Sequence, residues 1–154
     1  MIKVMFICHG NICRSPMAEF ILADIIKKRG LSDKISVSSC ATSRDEIGNG
    51  THYGTKNKLN SAGVPMYPRV SVQLTKADYK NYDYLLAMDN LNLRNIKKII
   101  PSDPENKIYT LLTFAGISRD IADPWYTGNF DKTYDDIVMG IDAFLKYLEK
   151  NNLI

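Results

Sequence analysis

Apolar and polar positions fall along the chain in blocks of changing period, and the changes mark the elements. "IKVMFIC" (Ile2 to Cys8) is an apolar run of strand length, the pattern of a strand covered on both faces of a sheet. From Pro16 the apolar residues Met17, Phe20, Ile21 and Ile25 recur at helical spacing until Gly30 supplies a stop. Ser15 suits the N-cap of that helix and Pro16 its first position. "KISVSSCAT" reads as a second strand, followed by a long polar, glycine-rich connection from Ser43 to Gly54 and a helix to Ala62 that Gly63 ends. "YDYLLAM" is a third buried strand, "NLNLRNIKKII" a helix that Pro101 terminates, and "KIYTLL" a fourth strand. The clearest helix comes last: Tyr134, Ile137, Val138, Ile141, Phe144, Leu145 and Leu148 form one apolar stripe.

Strands alternating with helices imply parallel β-α-β units. The expected fold is therefore α/β and three-layered, an open four-stranded parallel sheet with helices on both faces and flavodoxin-like winding. With no repeats or linkers, residues 1–154 are expected to form one domain. In such folds ligands bind beyond the carboxyl ends of the strands, where the strand order reverses. The first strand ends at Cys8, so Cys8 to Ser15 fall at the expected ligand site.

Composition narrows the picture by exclusion. Apolar residues make up 45% and charged residues 24%, and the net charge of +3 is too diffuse for a nucleic-acid surface. "IKKRG" and "RNIKKII" read as solvated last turns of helices, where cations complement the dipole. No signal peptide is visible and no apolar run reaches the ~20 residues of a membrane span. Three cysteines, an odd number, argue for a reducing compartment, and a cytoplasmic monomer is the expectation.

Between strand and helix, "CHGNICRS" must turn with its N–H groups converging. Gly10 and Asn11 tolerate positive φ. Converging amides at a helix start make an anion site, and an anion site favours the thiolate of Cys8. Arg14 adds a planar fork for two phosphate oxygens. Ser15 can donate to the sulfur and ease its later departure. A nucleophile at the floor of a phosphate cradle is the equipment for phosphoryl transfer through a cysteinyl-phosphate. A Walker-type loop is excluded by the missing Gly-Lys-Ser/Thr, and zinc by ligand company, since His9 lies inside the loop and His52 is isolated. No metal or other cofactor is expected.

"CHGNICRSPMAEF" resembles the signature of the low-molecular-weight protein tyrosine phosphatases. "SSCATS" is similar to that family's second strand and following loop, "MDNLN" to its Met-Asp-x-x-Asn element and "DPW" to its Asp-Pro acid loop. The resemblance implies the phosphotyrosine protein phosphatase I-like fold and hydrolysis of phosphotyrosine in proteins, with acid phosphatase activity on small aryl phosphates. It implies that residues 8–15 (Cys8, His9, Gly10, Asn11, Ile12, Cys13, Arg14, Ser15) bind phosphate or inhibitory oxyanions. It also implies that Asp123 is the general acid, a role that local reading would not separate from turn initiation at Asp123-Pro124. Asn11, Ser39 and Asp89 are implied supports of the loop.

A phosphotyrosine pocket needs walls, for which His9, Ile12, Asp45, Trp125 and Tyr126 are candidates. Relatives that act on phosphoarginine tend to carry Thr where Ile12 stands, so Ile12 favours phosphotyrosine. Many relatives have an aromatic residue where this chain has Asp45, and Cys40–Ala41 replace a commoner Ala-Gly. Cys13 could resolve an oxidised Cys8 as a reversible disulfide. Two rivals stand beside the phosphatase: a thiol-dependent arsenate reductase, which needs a later cysteine pair although Cys40 is the last cysteine, and a non-catalytic phosphotyrosine-binding module, which would tolerate loss of Cys8 or Asp123.

Overall fold

The computed structural model describes residues 1–154. Its strands are β1 (Ile2–Cys8), β2 (Ile35–Ala41), β3 (Tyr84–Ala87) and β4 (Ile108–Thr110), all parallel, in the order β2-β1-β3-β4. The helices are α1 (Arg14–Lys28), α2 (Tyr53–Ser61), α3 (Asp78–Asn81), α4 (Asn90–Ile99), α5 (Pro124–Thr127) and α6 (Phe130–Lys150). The chain leaves β1 for β2 on one side and later returns to β3 on the other, so the order reverses at β1. Register completes the placement: Cys8 pairs with Ala41 and Ile7 with Ala87. The segments that follow β1, β2 and β3 therefore emerge side by side.

Strand alternation divides the core. Val4, Phe6 and Cys8 pack with α1 and α6 residues such as Met17, Phe20, Ile141 and Phe144. Met5 and Ile7 face the other layer, with Ile96 and Ile100 at the end of α4. Cys8 is thereby committed to the α1 side, and a one-residue slip of β1 would move it to the other layer. No helix is long and apolar enough to cross a membrane.

Two local expectations are corrected. The first helix begins at Arg14, one residue before the expected N-cap Ser15, and no side chain caps it. Ser15 sits within the first turn because its hydroxyl is engaged by Cys8 and Asn11. The fourth strand stops at Thr110, and Leu111 and Leu112 turn into a 3-10 helix (Leu111–Ala115) that presses on α6. A Cβ on Gly140 would lie 2.6 Å from Leu111 Cγ, so this contact requires glycine. The Asp-Pro stretch, expected as loop, forms the single turn α5 with Asp123 as its N-cap.

Candidate active site

The loop from Cys8 to Ser15 is held by its carbonyls. Cys8 O accepts from Thr42 N–H at 3.0 Å, and His9 O from Ser43 N–H at 3.1 Å and Ser43 Oγ at 2.9 Å. Gly10 O takes Ser71 Oγ at 2.8 Å, Asn11 O takes Arg69 Nη2 at 2.7 Å, and Ile12 O takes His52 N–H at 2.8 Å. Cys13 O accepts from Met17 N–H and Thr55 Oγ1. Every carbonyl from residue 8 to 13 is thus satisfied. The N–H groups of His9, Gly10, Ile12, Cys13, Arg14 and Ser15 have no acceptor in the protein. Free donors gathered at a helix start are what an anion requires.

Asn11 makes the turn at φ 57°, in the left-handed region that Asn tolerates better than most residues. Its N–H points to Cys8 Sγ at 3.3 Å, and Ser15 Oγ lies 3.0 Å from the same sulfur. The Asn11 side chain spans the support network: Nδ2 donates to Ser15 Oγ and Ser39 Oγ, both at 2.8 Å, while Oδ1 accepts from Arg69 and Val72 N–H. Ser39 donates onward to buried Glu19, which also accepts from Tyr67. Every polar atom of Asn11 is used, as its complete burial demands.

Arg14 is the largest fully buried side chain. Its Nη1 donates to Asp89 Oδ2 at 2.7 Å and Ile121 O at 2.8 Å, and its Nη2 lies 3.5 Å from Asp123 Oδ2. Burial opposes the guanidinium charge, but Cys8, Asp89 and Asp123 outweigh it, and the net effect raises the Arg14 pKa. Asp89 also caps α4, with Oδ1 taking Asn92 N–H at 2.7 Å. Asp123 is fixed by Trp125 N–H on Oδ1 at 3.0 Å.

These groups line a cavity of about 170 Å³. Its lining brings together Cys8, His9, Ile12, Cys13, Arg14, Asp45, Asp123, Trp125 and Tyr126, residues singled out from the sequence, whereas Asn11, Ser39 and Asp89 support it from outside. At the mouth His9 Nε2 lies 2.9 Å from Asp45 Oδ2, so the rim at Asp45, where the family resemblance implies an aromatic, is a polar hydrogen-bonded pair. Trp125 and Tyr126 are mostly exposed. The Cys13 thiol is pushed up to about 12 by burial first, then by the negative charge of Cys8 and Asp123.

Sequence reading missed Glu46, which lines the cavity with Cγ 3.3 Å from where a Gly10 Cβ would stand. It also missed the donors Arg69, Ser71, Thr55 and His52. All four come from irregular chain or a helix entry, where no periodicity marks a role. His52, read as isolated, donates to the loop itself.

Residues 3–153 match the model of the family described as low molecular weight phosphotyrosine protein phosphatase. The chain is 38% identical over 152 residues to the low molecular weight protein-tyrosine-phosphatase PtpA of Staphylococcus aureus, covering 98% of this chain and 96% of that protein. It is similar in structure to YfkJ from Bacillus subtilis, with TM-score 0.93 and 36% identity over 98% of this chain and 96% of that one. Against SP-PTP, the low molecular weight protein tyrosine phosphatase from Streptococcus pyogenes, the TM-score is 0.86 at 38% identity, covering 96% and 93% of the two chains. Because the match runs the length of the chain and reaches beyond the loop, the chain belongs to the low molecular weight phosphotyrosine protein phosphatase family and is a protein-tyrosine-phosphatase.

Proposed function

We propose that the chain hydrolyses phosphotyrosine in proteins, and small aryl phosphates, through a cysteinyl-phosphate on Cys8. The observation that carries this reading is the arrangement around one sulfur: Ser15 Oγ at 3.0 Å, the Asn11 N–H at 3.3 Å and free loop amides on the same turn. The Cys8 thiolate attacks phosphorus, the bond to the aryl oxygen breaks, and protonated Asp123 gives its proton to the departing phenol. Asp123, now a carboxylate, takes a proton from water as that water attacks phosphorus. The sulfur leaves as thiolate, stabilised by Ser15 and Asn11, and inorganic phosphate is released.

Arg14 has five N–H donors, of which Nη1 spends two on Asp89 and Ile121 O. Nε and Nη2 remain to grip two phosphate oxygens. The bound dianion competes with Asp123 for Nη2, which lies 3.5 Å from the carboxylate. Ile12, Trp125 and Tyr126 form the aryl walls. The enzyme works as a cytoplasmic monomer without metal or other cofactor, and inorganic phosphate inhibits it in the loop. Peroxide inactivates it reversibly, with Cys13 resolving oxidised Cys8. The arsenate-reductase relay is disfavoured because Cys40 Sγ contacts Met5 in the opposite layer from Cys8.

Rapid-quench reaction with p-nitrophenyl phosphate, followed by peptide mass mapping, tests the mechanism. A phosphoryl group on the Cys8 peptide is expected. Turnover with no such adduct on any quench timescale, or an adduct on another residue, overturns it.

A further inference from the structure

The entry to α2, "HYGT" (residues 52–55), has no part in the chemistry above, yet it touches both halves of the site. On one side His52 N–H and Thr55 Oγ1 hold the phosphate loop at Ile12 O and Cys13 O. On the other side the His52 ring stacks on Phe130, with centroids 5.5 Å apart and planes 13° apart, and meets the Trp125 ring edge-on at 5.6 Å and 71°. Tyr53 covers its outer face at 4.3 Å. Trp125 and Phe130 bracket the downstream end of the Asp123 turn. The ring cannot rotate freely, because Nδ1 accepts from Gly54 N–H at 3.0 Å, which places the neutral ring's proton on Nε2. The stack needs glycine beneath it, since a Cβ at Gly54 would lie 2.3 Å from Phe130 Cζ.

The upstream end of the Asp123 turn is fastened by backbone and core. Ile121 N–H donates to Met88 O at 3.0 Å, Ala122 O accepts from Thr133 Oγ1 at 3.1 Å, and Ile121 is fully buried. Past Gly128 the chain is next held at Asn129, which caps α6 and accepts from Lys132 N–H at 3.0 Å, so between Asp123 and that cap the Trp125 side chain has no backbone or core anchor of its own. Trp125 is 56% exposed, and His52 is its one aromatic partner.

We propose that His52 is a positioning residue that ties the downstream end of the Asp123 turn to the phosphate loop, holding Trp125 as a wall and keeping the Asp123 carboxyl in line with Cys8. The inference rests on the reading of Asp123 as the general acid. The ring faces do the holding, and the Nδ1 bond orients them. Loss of the ring lets α5 drift relative to a loop that stays intact, so proton donation suffers while thiolate attack does not.

The test compares His52→Asn, which keeps a cap acceptor and loses the ring, with His52→Phe, which keeps the ring and loses the acceptor. For His52→Asn, kcat/KM, which ends at departure of the phenol, should fall about 10- to 50-fold on phenyl phosphate, within the reach of a ~1 Å misplacement, and less than about 3-fold on p-nitrophenyl phosphate. His52→Phe should keep the ratio of the two within about 3-fold of the unsubstituted enzyme. Trp125 is the only tryptophan, so emission reports on it directly: a red shift and lower anisotropy are expected for Asn, and neither for Phe. Equal loss on both substrates in His52→Asn, or unchanged Trp125 emission, overturns the proposal. Should the Asn variant fail to fold, His52→Leu takes its place with the same expectations. If Asp123→Ala itself shows no leaving-group dependence, the acid reading fails; if it shows one and His52→Asn does not, only the role of His52 fails.

Discussion

Replacing Arg69 with methionine removes the donor that holds Asn11 in its left-handed turn. Arg69 Nη2 serves Asn11 O at 2.7 Å and Oδ1 at 2.5 Å, and Asn11 in turn aims its N–H at Cys8 Sγ. A hydrogen bond from a charged donor contributes about 1.5–3 kcal/mol, and a non-glycine residue in the left-handed region costs roughly 1–2 kcal/mol. Val72 N–H still serves Oδ1 after the substitution, so we count one lost bond and a relaxed turn, about 2–3 kcal/mol. At 1.36 kcal/mol per tenfold, kcat/KM should fall about 30- to 150-fold. Methionine keeps the packing of the stem and relieves the burial that lowers the Arg69 pKa, so thermal stability should change far less than activity. Steady-state turnover of p-nitrophenyl phosphate measures the first effect. Competitive inhibition by inorganic phosphate, expected to weaken in parallel, shows that the anion loop is what changed. A folded Arg69→Met enzyme with unaltered kcat/KM and phosphate affinity would mean that Arg69 does not hold the Asn11 turn.

Further outcomes follow from the same geometry. Asp123→Ala should lose about 10²–10⁴-fold in kcat/KM on phenyl phosphate and less on more acidic phenols; a uniform loss of kcat/KM in a leaving-group series counts against the acid role. Arg119 grips buried Asp136 through bonds of 2.8 and 2.9 Å and holds its carboxyl below the usual range. A lowered folded pKa gives stability that is present above about pH 4 and lost as pH falls, so Asp136→Asn should cost about 1–3 kcal/mol at neutral pH. That gap, read by urea unfolding, should close in acid, and a pH-independent gap contradicts the pairing. Cys13, raised from 9.0 to about 12, ionises later in the folded chain than in the unfolded one. Its contribution to stability is therefore complete below about pH 9 and lost toward 12. Cys13→Ser should flatten the alkaline decline in stability under reducing conditions, and the same variant should abolish thiol-reversible recovery from peroxide.

What could be read from the sequence is what neighbouring residues encode together. The β1 run, the Cys8–Ser15 turn and the α6 stripe each lie within one contiguous segment, and their patterns survive folding. Asp89, an implied support of the loop, makes that contact with Arg14 through one oxygen while its other oxygen caps α4. Ser15 misled as an N-cap because its hydroxyl has a better use, between Cys8 Sγ and Asn11 Nδ2. Leu111 and Leu112 carry strand-like character, yet they turn away from the sheet to meet α6 at Gly140. The donors that hold the loop carbonyls open were invisible for a different reason. Ser43, His52, Thr55, Arg69 and Ser71 are ordinary polar residues until tertiary folding brings them around one turn. Asp45 shows the same limit from the other side: its partner His9 lies 36 positions away in the chain, and only folding sets the two across the mouth of the cavity.

The proposed chemistry rests on Cys8 as the nucleophile. Turnover of p-nitrophenyl phosphate by Cys8→Ser, without added metal and with folding verified by thermal unfolding, tests it most directly. Turnover should disappear while inorganic phosphate still binds the loop. Undiminished turnover by Cys8→Ser would contradict that role.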